Sequence, residues 1–192
     1  NFCIFFNNKK LIISADFFMQ FSKKNWLSPE TMPKTPLSVY DLGKLRAKEI
    51  KYVDSYLPVI FGNSEIKITE YQINCEIDII GSAFFMLSRY EECIEKKRDY
   101  YDRVSAKTSI AYQEGFLQRP IINEYIELLY YLLQRLWPNL ERKSRSYRNL
   151  ISADVDAPYA YSVKSWFLLF KQLTANIFIR RNIWRVFTDI LN

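Results

Sequence analysis

The chain has 192 residues, 49% of them hydrophobic and 25% charged, with a net charge of +6 and no histidine. This is a globular composition, long enough for one domain or for one domain and part of another. It excludes a membrane-spanning helix, because no apolar run reaches about 18 residues. It also excludes a disulfide scaffold, because Cys3, Cys75 and Cys93 have no framework spacing.

Such cysteine usage fits a reducing compartment, so a cytoplasmic location is expected. The basic balance permits contact with nucleic acid, anionic lipid or acidic glycans, but it carries no information about fold. Aromatic content is high, with 14 Tyr and 14 Phe, and there are only 4 Gly. Scarce glycine suits a helix-rich module better than an enzyme with many active-site loops.

Residues 2–21 open with two apolar runs, FCIFF and KKLIIS, around Asn7-Asn8. Asn tolerates positive φ, so a two-residue hairpin turn is expected there. Both runs are nearly all apolar, which predicts that at least one strand is covered on both faces. Opening directly on a strand leads us to expect a natural start further upstream. Residues 22–47 hold Pro29, Pro33 and Pro36 among polar residues. They read as loop, with a short helix near Asp41–Ala47.

LPVIF (57–61) reads as a short strand ended by Gly62-Asn63. Strict alternation follows. Ile66, Ile68, Ile73, Cys75 and Ile77 point inward; Glu65, Lys67, Asn74, Glu76 and Asp78 point to water. This predicts an antiparallel hairpin turning near Glu70-Tyr71. Cys75 is then a small buried hydrophobe.

From residue 80 the period becomes helical, through Ala83, Phe84, Leu87, Tyr90 and Ile94, with Ser82 as N-cap and Glu91 and Glu92 outside. Residues 96–119 interleave basic and aromatic side chains. Nucleic-acid binding would use such a mixture. Asp99, Asp102 and Glu114 dilute the charge, however, so we read a surface loop whose Tyr rings lie on the core. A sugar-binding surface is the better functional option there.

Residues 120–137 give the strongest helix, opened by Pro120 and stopped by Pro138. Its apolar stripe is Ile122, Tyr125, Ile126, Leu129, Leu132, Leu133 and Leu136.

A polar basic stretch at 141–148 separates 1–140 from 149–192. The second part opens on NLISADVDAPY, residues 149–159. Leu150 and Ile151 lead a strand that delivers Asp154 and Asp156 to its C-terminal end, and Pro158 stops it. Residues at i and i+2 of a strand share a face. Adjacent carboxylates repel unless a proton or cation lies between them. The alternative is that both acids merely cap a turn.

Residues 163–191 follow as an amphipathic helical stretch. Trp166, Phe170, Ile177, Trp184 and Phe187 are among its apolar residues, and Lys171, Arg180 and Arg185 among its basic ones. Self-association or partial disorder is expected beyond about residue 160, since exposed apolar patches mark contacts. A membrane-surface helix is a further reading.

Three segments resemble one family: IIGSAFFMLSRYEE (79–92), YQEGFLQRPIINEYIELLYYLLQRL (112–136) and ISADVDAPYAY (151–161). It is a group of bacterial polysaccharide-deacetylase-like proteins with an uncharacterised α/β domain ahead of a NodB-type barrel. The resemblance marks Arg89, Glu91 and Glu92 as family-typical. It implies an α+β accessory domain, with an antiparallel or mixed sheet and packed helices, followed by the first strand and helix of a (β/α) barrel. It further implies that Asp154 is the general base, that Asp156 is a ligand of a divalent metal, zinc first, and that the partner is an acetylated glycan. Nucleic acid and an integral membrane span are not expected.

Ala153 stands where the family has a histidine. The family's metal site also needs two histidines from later elements, and this chain has none. We therefore expect an inactive fragment of a carbohydrate deacetylase, or a degenerate homologue. A non-catalytic module that binds glycan or protein is the alternative.

Overall fold

Asn7 and Asn8 both take positive φ, 46° and 60°. Such a left-handed pair closes a two-residue hairpin, here between β1 (Phe2–Phe6) and β2 (Lys9–Ile13). Phe6 lies opposite Lys9 and Phe2 opposite Ile13. The computed structural model describes residues 1–45, 54–143, 146–154 and 174. It divides into two units, Asn1–Arg142 and Lys143–Asn192.

The first unit is α+β. The alternating segment forms β5 (Gly62–Ile68) and β6 (Gln72–Ile77), antiparallel, after β3 (Ser38–Asp41) and β4 (Tyr56–Val59). Thr69 Oγ1 donates to Gln72 O at 2.8 Å and accepts from Gln72 N at 3.0 Å, which fixes the turn. β2 runs parallel to β6, with Leu11 opposite Ile73 and Ile13 opposite Cys75. The main sheet is therefore mixed, in the order β1-β2-β6-β5. Its inward row of Leu11, Ile13, Ile73, Cys75 and Ile77 is buried.

Two expectations about the strands are corrected. Neither strand of the first hairpin is covered on both faces. β1 is an edge, with Phe5 and Phe6 66% and 60% exposed, and β2 buries only Leu11 and Ile13. Helices pack on one face of this sheet, so the second apolar row of the hairpin has no cover there. The segment 22–47 is not all loop: β3 pairs with β4, Tyr40 opposite Leu57. Its partner is remote in sequence, so no local signal announces it. The short helix expected near Asp41–Ala47 is a 3-10 turn over Leu42–Leu45.

The helices are α1 (Asp16–Met19), α2 (Ile79–Leu87), α3 (Tyr90–Ile94), α4 (Ile110–Gln113) and α5 (Ile121–Leu136). The N-cap of α2 is Asp78, not Ser82. Asp78 accepts from Gly81 N at 2.8 Å and is fully buried rather than water-facing. Ser82 is also buried, and its Oγ accepts from Phe61 N at 3.3 Å.

On α5 the buried row is Ile121, Glu124, Tyr125, Leu128, Leu132 and Leu136. This is rotated from the predicted stripe, so Ile126 is 37% exposed. Two polar contacts account for the rotation. Glu124 accepts from Arg119 Nε at 3.1 Å and from its Nη2 at 2.5 Å. Tyr125 donates to Pro58 O at 2.7 Å and accepts from Ile60 N at 3.1 Å. A buried acid and a buried hydroxyl are tolerated because each is paired. At the other end of α5, Lys9 Nζ donates to Leu136 O at 2.8 Å, which suits the negative end of a helix.

In the second unit, residues 149–154 have no strand pairing, and Leu150 and Ile151 are 93% and 97% exposed. The expected strand is thus not formed at these residues. A strand is held by the ladder to its neighbours, and no neighbour exists among the described residues. The expected helix over 163–191 lies outside the described residues, apart from Thr174, which is helical. No helix among the described residues is long and apolar enough to cross a membrane.

Candidate functional site

Of the two acids singled out in the sequence, only Asp154 lies among the described residues. Asp154 is exposed and sits in the unpaired stretch 149–154. Asp156 lies outside the described residues. Among the described residues no group of three or more His, Cys, Asp or Glu is placed to hold a metal ion.

The buried and half-buried carboxylates of the first unit have structural partners: Asp78 and Glu91 accept from backbone amides, and Glu124 pairs with a side chain. Asp78 accepts from Phe17 N and Gly81 N, each at 2.8 Å. Burial raises its pKa, opposed by those two amides. Glu91 accepts from Ile110 N at 2.9 Å and so fastens the start of α4. Burial raises its pKa as well. Glu124 is held by Arg119.

Glu91 therefore does not share the water-facing role expected for it with Glu92. Glu92 does face solvent, pairing with Arg89, whose Nε donates to Glu92 Oε1 at 2.6 Å. That pairing lowers the Glu92 pKa. Arg89 sits at φ 54°, in the left-handed break between α2 and α3. Cys75 is buried, and its thiol is pushed up to about 12 by burial, far from thiolate chemistry.

The loop at 96–103 departs from expectation in a useful way. Its Tyr rings do not lie on the core: Tyr100 and Tyr101 are 94% and 71% exposed. Asp99 organises the loop by accepting from Tyr101 N at 2.8 Å, Arg103 N at 2.9 Å and Arg103 Nε at 2.9 Å. Asp102 takes φ 57°, completing a tight turn. The two rings meet edge to face at 5.2 Å, and the Arg103 guanidinium sits 4.8 Å from the Tyr101 ring centre. The loop thus presents a pair of aromatic faces beside a cation. In the sequence Asp99 and Asp102 signal a tight turn, but they do not encode the direction of the Tyr rings.

Other residues of the first unit line concavities. A polar cleft of about 420 Å³ is lined by Asp16, Gln20, Lys24, Glu30, Lys34 and Asn63. Its charges are mixed, so it favours no single class of ligand. An apolar groove of about 580 Å³ lies between β1 and the C-terminal end of α5, lined by Ile4, Phe6, Lys9, Leu133, Leu136 and Trp137.

The sequence model of a family of unknown function, DUF7033, matches residues 3–138. This chain belongs to the DUF7033 family. The match ends just short of Arg142, where the first unit ends, so the family sequence and the folded unit coincide closely. Neither the curated proteins nor the solved structures yield a match. In this chain the matched region comprises the mixed sheet with its one-sided helical cover, the Asp78 tie and the aromatic loop.

Proposed function

We propose that this DUF7033 chain is an accessory module leading into a metal-dependent carbohydrate deacetylase that acts on acetylated glycans. The observation that carries the reading is Asp154-Val155-Asp156-Ala157-Pro158, which begins 16 residues after the family region ends at residue 138. The three segments that resemble deacetylase-like proteins support it. In this reading Asp156 is a metal-facing carboxylate, and Asp154 is the acid beside it that accepts a proton.

The residues of this chain do not complete a zinc shell, because zinc in a hydrolase takes three protein ligands and this chain supplies no imidazole. The histidines must come from sequence outside these 192 residues. No reaction step is therefore assigned to the chain alone.

The test is zinc stoichiometry, by elemental analysis, of the product of the complete reading frame. About one zinc per chain is expected. Asp156→Asn should weaken uptake by at least about tenfold, in line with losing an anchoring ligand. A full reading frame without a downstream histidine pair, or a product that takes up no divalent metal, overturns the reading.

A second reading is favoured by the exposed Tyr100–Tyr101 pair. In it the first unit contacts glycan without catalysis, its rings stacking on sugar faces. The double variant Tyr100→Ala/Tyr101→Ala should then weaken binding of N-acetylated oligosaccharides about tenfold or more, read by NMR titration. A tenfold change corresponds to about 1.4 kcal/mol. Unchanged affinity, or no binding by either protein, removes this reading.

A further inference from the structure

The two edges of the main sheet are treated very differently by the sequence. The β5 edge carries Glu65 and Lys67, ion-paired at 3.2 Å. Charges of that kind keep an edge from pairing with another chain. The β1 edge, Phe-Cys-Ile-Phe-Phe, has no charge, no proline and no bulge in its pairing with β2.

Phe6 and Lys9 close a two-residue hairpin, so they form a hydrogen-bonded pair. By alternation Phe2, Ile4 and Phe6 bond to β2, while Cys3 and Phe5 turn their N–H and C=O groups outward. Among the described residues nothing pairs with those outward groups. On the inward face of the same edge lies the apolar groove lined by Ile4, Phe6, Leu133, Leu136 and Trp137. An open ladder calls for a strand, and the groove beside it calls for a strand with apolar side chains on its inward face.

We propose that a second copy of this chain fills both, pairing β1 with β1 antiparallel across a two-fold axis at Ile4. The strand is complementary to itself in this register. Cys3 of each copy exchanges two backbone bonds with Phe5 of the other. Ile4 meets Ile4, and Phe2 lies across from Phe6, so the groove-facing row is apolar on both sides. No like charges meet along the strand. The arrangement is isologous and closes at two copies. Pairing β1 to the charged β5 edge would instead give an open chain of copies.

The full chain tests this directly. Sedimentation at micromolar concentration should give twice the mass of the chain. Ile4→Cys in a Cys3→Ser background should oxidise to a covalent dimer, because a non-hydrogen-bonded antiparallel pair holds its Cα atoms about 4.5 Å apart, within disulfide reach. Phe5→Pro removes only an outward N–H, and an edge strand tolerates this. Phe5→Glu keeps the backbone and faces Lys10 within the hairpin. Both variants should keep the far-UV dichroism of the parent and weaken the dimer at least tenfold. A monomer at up to about 100 μM, well above the affinity range of specific assemblies, overturns the proposal. So does a dimer indifferent to both Phe5 variants, which would place the contact elsewhere, residues 163–191 included.

Discussion

Phe17→Ala is expected to lower the unfolding free energy of the first unit by about 3–5 kcal/mol. The ring is fully buried and sits at the centre of an aromatic cluster. Its centroid lies 4.9 Å from that of Phe61, 5.2 Å from those of Phe21 and Tyr90, and 5.6 Å from that of Phe84. Most of these pairs are edge to face, and each adds about 0.5–1.5 kcal/mol beyond simple burial. The rings come from α1, α2, α3, the turn after α1 and the link between β4 and β5, and such surroundings relax only partly when a buried ring is removed. Since a domain of this size is stable by about 5–15 kcal/mol, the loss is a large share of the whole. Urea unfolding followed by far-UV dichroism checks it. The midpoint should fall while the slope stays constant. A loss below about 1 kcal/mol would mean the cluster is loosely packed and Phe17 is not its hub.

Asp78→Ala should cost about 2–4 kcal/mol. Loss of an N-cap accounts for about 1 kcal/mol, and a buried amide left without an acceptor for about 1–3 kcal/mol more. Asp78 ties two elements at once, since it caps α2 through Gly81 N and accepts from Phe17 N on α1. Gly81 is needed at that junction. A Cβ there would come within 2.3 Å of Asp78 Oδ2 and 2.5 Å of Phe17 Cβ. Asp78 and Phe17 are in direct contact, so the double variant should cost less than the sum of the two single ones.

Asp78 also fixes the sign of a pH effect. Burial, the larger influence, raises its pKa above the usual 3.8. A carboxyl whose pKa is higher in the folded state than in the unfolded one favours the fold in its protonated form. That contribution is complete below about pH 3.8 and is lost as pH rises through the folded value. Thermal melts should therefore show the parent losing stability relative to Asp78→Asn as pH rises from 3 upward, then holding a constant difference. A difference of the opposite slope would mean that the two amides outweigh burial.

Local chemistry alone makes several elements legible. Asn7-Asn8 announces its hairpin because few residues accept left-handed backbone. The alternation from Ile66 to Ile77 announces β5 and β6 because strand side chains alternate faces. Pro120 and Pro138 bracket α5 because proline starts helices and cannot continue them. The candidate acids are legible in the same way: Asp154 and Asp156 fall two apart after an apolar pair. Side chains two apart share a face only once a strand has formed, and the strand needs neighbours that this stretch does not itself contain.

The sequence by itself thus determined the hairpins, the main helices and the presence of a paired-acid motif, since each rests on turn preferences or periodicity within a few residues. Tertiary structure alone decided that Ser38–Asp41 is a strand, that Asp78 rather than Ser82 caps α2, that the buried face of α5 turns toward Glu124 and Tyr125, and that Tyr100 and Tyr101 face solvent. Each of those outcomes depends on a partner that is distant in the chain or on which face of an element is covered. Contacts between remote residues set that, and no window of neighbouring residues encodes it.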